Sequence, residues 1–107
     1  TIKVKKLEET QASSLSSEQV ERLCEIAEES ARNYIKSKVP WREVSDLDVT
    51  VEAGGEEDNL TVNVDIDVRL SPLLKDADAK RLAQEAVEAA FGSIEKFLRE
   101  TRCYSRK

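Results

Sequence analysis

The chain has 107 residues, of which 36% are charged and 39% hydrophobic, and its formal net charge is −5. This length indicates one domain, residues 1–107, with a single modest core. The acidic balance disfavours a dedicated nucleic-acid binder. The sequence shows neither an apolar run of the roughly 20 residues that a membrane span needs nor an apolar signal core, so it predicts a cytoplasmic protein.

The first residues carry a short alternation of apolar and charged side chains. Ile2 and Val4 alternate with Lys3 and Lys5, which is the period of a β-strand. Lysines on the outward side are typical of a sheet edge, where charge discourages pairing with other chains. The pattern therefore predicts a short edge strand, followed by a loop over residues 11–14.

A helix start signal follows at Ser16. Ser16 and Gln19 have the spacing of a capping box, in which each side chain accepts a hydrogen bond from the other residue's backbone N–H. Pro40 disfavours helical geometry at Val39 and should end the helix there. Between these signals, apolar residues recur every three or four positions and share one helix face: Val20, Leu23, Cys24, Ala27, Ala31, Tyr34 and Ile35.

Two strands and a second helix complete the predicted domain. Residues 47–53 and 60–70 alternate apolar and polar side chains with a period of two, and the segment 54–59 supplies a hairpin loop. Keeping both apolar faces on one side allows Val51 to pair with Val62 and Val49 with Val64.

Residues 79–98 carry a continuous helical apolar stripe, so the order of elements is β-α-β-β-α. We expect an α+β fold in which both helices pack on one face of a three-stranded antiparallel sheet. The longest strand, 60–70, should lie in the centre, which gives the strand order 1-3-2.

No residue pattern indicates catalysis. The chain has no histidine, the usual general base and metal ligand near neutral pH. Cys24 lies on an apolar helix face, where burial raises the pKa of a thiol. Asp65 and Asp67 share a strand face at about 6.5–7 Å, a spacing that suits a cation or an acid–base pair, although a solvated polar face explains them more simply. We therefore expect no catalytic residue, no cofactor and no metal.

The candidate protein interface is the exposed edge of the sheet together with the last helix. The helix alternates small and large apolar residues, and small residues permit close approach of a neighbouring element. Three strands and two helices leave apolar surface to cover, and uncovered apolar surface marks protein interfaces. The alternative is that the whole stripe serves the chain's own core. The candidate interface residues are Ala83, Val87, Ala90, Phe91 and Ile94.

The basic end of the chain is the candidate RNA contact. Its cations are Arg99, Arg102, Arg106 and Lys107, and Tyr104 is available to stack on a base. Cations at this end also complement the helix dipole, which explains them as well without RNA. The element order is similar to that of RNA-binding KH modules, but their GXXG clamp is absent. A stand-alone RNA-binding module is therefore the second hypothesis.

Residues 17–98 resemble a small archaeal family of uncharacterised proteins, through the segments EIAEESARNYIKSKVP, DLDVTVEAGGEEDNLTVNVDIDVRLSPLLKDAD and AKRLAQEAVEAAFGSIEKFL. A long strand that leads through a short loop into an alanine-rich helix also looks like the Pcc-type small subunits of the KEOPS complex. That complex makes the threonylcarbamoyl-adenosine modification in tRNA. The resemblance implies a non-catalytic paralogue that forms a heterodimer with the principal Pcc-type subunit. The heterodimer would support the complex's ATP-dependent transferase subunit and meet tRNA only within the assembly.

Overall fold

The computed structural model describes residues 2–11, 15–54, 59–72 and 76–101. A three-stranded antiparallel sheet in the order β1-β3-β2 packs against two helices, so the predicted α+β fold and strand order are confirmed. The elements are β1 (Ile2–Gln11), α1 (Ser17–Lys38), a 3-10 turn (Trp41–Glu43), β2 (Val44–Gly54), β3 (Asn59–Leu70) and α2 (Asp76–Thr101).

Both ends of α1 follow the local signals in the sequence. The Gln19 N–H donates to Ser16 Oγ at 3.1 Å, and the Ser16 N–H donates to Gln19 Oε1 at 3.0 Å, which completes the predicted capping box. At the other end, Val39 is extended with φ −135° and ψ 137°. This is the geometry that the following Pro40 requires of its neighbour.

The core lies between the helices and one face of the sheet. α1 packs over β2, whereas α2 packs over β1 and β3, and the two helices contact each other. Burying each large apolar side chain contributes about 1.5–3 kcal/mol, so the central strand supplies much of the stability. Every second residue of β3 faces this core and is buried: Leu60, Val62, Val64, Ile66 and Val68.

The first strand is longer than the sequence predicts. β1 runs for ten residues and pairs with β3 along its whole length, from Ile2 opposite Val68 to Gln11 opposite Asn59. The apolar alternation stops after Val4 because the next inward-facing positions carry polar side chains, so the strand continues without a hydrophobic pattern. Gln11 therefore belongs to the strand, and residues 12–14 of the predicted loop lie outside the described residues.

The predicted hairpin register is wrong by two residues. Val51 pairs with Val64, and Val49 pairs with Ile66. Strand alternation specifies which face is buried, but a shift of two residues leaves that face unchanged, so apolar pattern alone does not select between the two registers. The structure also adds a register irregularity between Val44 and Asp46 in β2.

Membrane insertion through a helix has no support in the described ranges. Neither α1 nor α2 contains a segment both long and apolar enough to cross a bilayer.

Candidate functional site

The structure buries the five candidate interface residues of α2 in the chain's own core. Their exposed fractions lie between 0% and 7%, with Ala83 and Ala90 fully buried. A partner that docks on the folded chain would therefore not reach them, and the alternative of a private core describes this stripe. Of the predicted interface, this leaves the exposed edge of the sheet on the surface. The five are Ala83, Val87, Ala90, Phe91 and Ile94.

The candidate RNA contact is placed only in part. Arg99 lies exposed in the last turn of α2, where its charge complements the negative end of the helix dipole. The remaining predicted residues, Arg102, Arg106 and Lys107, lie outside the described residues, as does Tyr104.

Three described side chains have a shifted pKa, and all three shifts favour the protonated form. Burial, with a smaller contribution from Glu28, raises the pKa of the Cys24 thiol. The Tyr34 hydroxyl donates to Glu85 Oε1 at 2.6 Å, which raises the pKa of this tyrosine. Such shifts oppose the formation of a thiolate or phenolate nucleophile at neutral pH.

Asp65 and Asp67 lie on the sheet face that the helices leave uncovered. Lys3 Nζ is 3.9 Å from Asp67 Oδ2, and Lys5 lies opposite Asp65 in the register. Within the part of the chain that the structure describes, no group of three or more His, Cys, Asp or Glu side chains is placed to hold a metal ion. The two aspartates thus belong to a face of cross-strand charge pairs.

The edge formed by β1 carries a charged side chain that points toward the helices. Lys6 lies opposite Val64, on the core-facing side of the strand. Its Nζ donates to Glu88 Oε2 at 2.6 Å, lies 3.2 Å from Glu8 Oε2 and is 5.6 Å from the centre of the Phe91 ring. Hydrogen bonds to these carboxylates raise the pKa of Lys6. Inward-pointing charge of this kind protects a sheet edge against pairing.

The edge formed by β2 has a different composition. Among the described residues, β2 pairs with β3 alone, so its other side is an open edge. The side chains on its core face are apolar and, except for the buried Val49, only partly buried. Its outer face carries three carboxylates and no cation. We call this the β2 edge surface: Val44, Leu47, Val51 and Ala53 on one face, and Asp46, Asp48 and Glu52 on the other.

Charge on the uncovered face changes from one edge of the sheet to the other. One cross-strand row contains Lys3, Asp67 and Asp48, in the order β1, β3, β2. The lysines of β1 therefore lie beside the aspartates of β3. On the other side of β3, Arg69 lies opposite Asp46 of β2, whereas Asp48 and Glu52 lie opposite Asp67 and Asn63. The β2 edge is therefore acidic at Asp48 and Glu52.

A second exposed surface surrounds the only tryptophan. Trp41 is 48% exposed, and Lys36 Nζ lies 5.0 Å from the centre of its ring. Lys38 Nζ lies 5.4 Å from the ring of Tyr34, and Arg42 is largely exposed beside Trp41. We call Trp41, Lys36, Lys38, Arg42 and Tyr34 the Trp41 surface. Sequence reasoning missed it, although a lone tryptophan in a polar turn after Pro40 is a usable signal, because tryptophan is enriched in binding sites.

Comparison with known proteins places the chain among uncharacterised archaeal proteins. It is 35% identical over 86 residues to an uncharacterised protein of Pyrococcus furiosus, covering 79% of this chain and 75% of that protein. It is 31% identical over 87 residues to an uncharacterised protein of Thermococcus kodakarensis, covering 80% and 78%.

Two solved structures have similar folds. A crystal structure from Thermococcus onnurineus matches with a TM-score of 0.68 and 29% identity, covering 95% of this chain and 97% of that one. The solution structure of the hypothetical protein mth677 from Methanothermobacter thermautotrophicus matches with a TM-score of 0.69 and 26% identity, covering 83% and 94%. Residues 13–97 match the family model described as "Protein of unknown function (DUF3194)". The chain therefore belongs to the DUF3194 family.

Proposed function

We propose that this protein is a non-catalytic accessory subunit of the KEOPS tRNA-modifying complex and acts in the cytoplasm through a heterodimer with a Pcc-type subunit. The proposal starts from the resemblance in element order, in which a long central strand leads into an alanine-rich helix. The β-α-β-β-α order of the fold is consistent with that resemblance.

The observation that carries the proposal is the β2 edge surface. An open strand edge with a row of partly exposed apolar side chains can be extended by a strand of another protein, because main-chain hydrogen bonds and apolar contacts are then formed together. The row includes Leu47, Val51 and Ala53, each packed only partly against the core. A subunit whose role is to pair with a relative needs a surface of this kind.

The chemistry of the described side chains supports a non-catalytic role. The shifted pKa values of Lys6, Cys24 and Tyr34 all favour the protonated form. A lysine, cysteine or tyrosine that acts as a base or nucleophile has the opposite tendency, because it must give up its proton near neutral pH. The protein would therefore influence tRNA modification through assembly.

Co-expression tests the proposal directly. The full chain is produced with the Pcc-type subunit of the same organism, and each is also produced alone. We expect a 1:1 complex by size-exclusion chromatography with light scattering, and higher threonylcarbamoyl-adenosine synthesis when this complex joins the transferase subunit. Two species that elute separately at micromolar concentration, with no gain in synthesis, would contradict the proposal.

The Trp41 surface favours the second candidate function, a stand-alone RNA-binding module. Trp41 offers an exposed ring for base stacking, and Lys36, Lys38 and Arg42 offer cations for phosphates. Binding of tRNA by the isolated protein should then weaken steeply with salt, since phosphate contacts release counterions. Trp41→Ala should weaken it further, whereas Arg99→Ala tests the predicted contact at the other end of the protein. Absence of tRNA retention at low salt would exclude this candidate.

A further inference from the structure

The β2 edge surface also carries information about which partner it accepts. Two faces meet at this edge, an apolar one toward the helices and an acidic one toward solvent. A strand added at β2 continues both faces, because side chains of paired strands stay on the same side of a sheet. The partner's strand must therefore place apolar side chains beside the apolar face of β2 and cationic side chains beside its carboxylates.

A second copy of this chain fails that requirement. Two β2 strands paired antiparallel about Thr50 would place Asp48 of each copy opposite Glu52 of the other. Pairing about Val49 places Asp46 opposite Glu52, whereas pairing about Val51 places Asp48 opposite Gly54 and Glu52 opposite Thr50, so that no carboxylate meets a cation. Like charges directly opposite one another destabilise a strand pair, and β2 contains no lysine or arginine to compensate.

The opposite edge of the same sheet is closed to strand addition for a different reason. Lys6 of β1 points toward the helices and is held there by Glu88 and Glu8. Pairing at β1 would bring a new apolar strand against this charged cluster and exclude water from it, which is unfavourable for ions. β2 is therefore the edge at which the sheet can accept another strand.

We propose that β2 is extended by the edge strand of a different protein whose outward side chains are lysine or arginine, and that the carboxylates of β2 disfavour pairing of the chain with itself. The inference rests on the proposed function only for the identity of that protein as a Pcc-type subunit. The requirement for a basic strand and the exclusion of a second copy follow from the residues of β2.

A mixing experiment with this chain alone tests the charge rule. The variant carries Asp48→Lys and Glu52→Lys; Asp48 lies beside Asp67 of β3, so the new lysine gains a cross-strand partner and the fold is preserved. Paired about Thr50, wild type and variant place each lysine opposite a carboxylate. We expect monomers from each protein separately and a dimer from the mixture, with association about tenfold stronger than for either alone. Sedimentation equilibrium at low salt measures this.

The control variant makes the same charge change away from the sheet, with Glu21→Lys and Glu29→Lys at exposed positions of α1. Its mixture with wild type should stay monomeric, because neither position lies on β2. Added salt should dissociate the dimer of the β2 mixture, since exposed charges are screened within about 8–10 Å at 0.1–0.15 M ionic strength. Any of three results would overturn the inference: a wild-type dimer at low salt, a mixture of wild type and β2 variant that stays monomeric, or equal dimerisation of the control mixture.

A second measurement separates this inference from the proposed function. The Asp48→Lys, Glu52→Lys variant is titrated with the Pcc-type subunit, and we expect affinity to fall at least about tenfold and to lose most of its salt dependence. If wild type forms the complex and the variant binds equally well, the docking surface lies elsewhere while the proposed function survives. If wild type forms no complex, the proposed function fails and the mixing experiment still decides the charge rule.

Discussion

β1 and β2 occupy the two edges of one sheet and face the same helical layer, yet they differ in the side chains they turn toward it. On its inward face β1 is apolar only at Ile2 and Val4 and then places Lys6 against Glu88 of α2, whereas Leu7 on its outward face is 59% exposed. β2 is apolar along its whole inward face, and most of that face is only partly covered. The outer faces differ as well, with lysines on β1 and carboxylates on β2.

This difference shows that the two edges are adapted to different surroundings. A strand edge offers unpaired main-chain groups, and inward charge makes pairing there unfavourable. β1 has that protection. β2 lacks it on its inward face and has only outward carboxylates, which repel a like-charged strand but attract a basic one. We therefore propose that the β1 edge faces water and that the β2 edge accepts a partner strand.

The largest effect should come from the buried face of α2, which lies at neither edge of the sheet. Ala90→Glu places a carboxylate at a fully buried position of α2, and an unpaired buried charge costs at least about 4 kcal/mol. Since domains are stable by only about 5–15 kcal/mol, thermal unfolding should show a melting temperature lowered by more than about 15 °C. Glu95→Gln, exposed on the same helix, is the control. If the Ala90→Glu protein folds normally but no longer binds its partner, the interface would lie on this helix.

The next largest effect should separate the two edges. Val51→Lys introduces an inward charge on β2, and Val4→Lys introduces the same charge on β1; both positions are partly buried. We expect Val51→Lys to weaken binding of the Pcc-type subunit by more than tenfold and Val4→Lys to leave it within about twofold, because only β2 accepts a strand. Titration calorimetry measures both, with circular dichroism to check the fold. Equal losses would remove the distinction between the edges.

A smaller effect should follow when β1 is made to resemble β2. Lys6→Leu removes the inward charge, so the β1 edge gains an apolar face and loses its protection. We expect concentration-dependent self-association by analytical ultracentrifugation with little change in melting temperature, since exposed ion pairs contribute little to stability. Lys5→Leu, on the outward face of the same strand, is the matched control. A strictly monomeric Lys6→Leu protein would show that Lys6 does not guard this edge.

The smallest effect concerns Cys24 on α1, the helix that covers β2. Its raised pKa means that the folded protein holds the thiol proton more tightly than the unfolded chain, so this contribution to stability is present at low pH and is lost as pH rises through the pKa of the folded thiol. In a Cys103→Ser background, alkylation by iodoacetamide should be several-fold slower in the folded protein, with its pH profile displaced upward. Identical profiles in buffer and denaturant would contradict the burial of this thiol.

The sequence by itself determined the elements whose signals are local. Ser16 and Gln19 fix the start of α1 through hydrogen bonds within one turn, and Pro40 fixes its end through contact with its immediate neighbour. The period-two pattern of β3 identified the central strand, because a strand buried under helices must be apolar at every second position.

Tertiary structure decided what depends on distant residues. The second half of β1 is a strand because its main chain forms hydrogen bonds with β3. A hydrophobic pattern does not reveal such bonds. The register of β2 and β3 differs by two residues from the expected one, since alternation repeats every second position. The helix stripe became core, so of the predicted interface only the exposed edge of the sheet is left on the surface. Strand order alone places the lysines of β1 beside the aspartates of β3 and leaves β2 acidic.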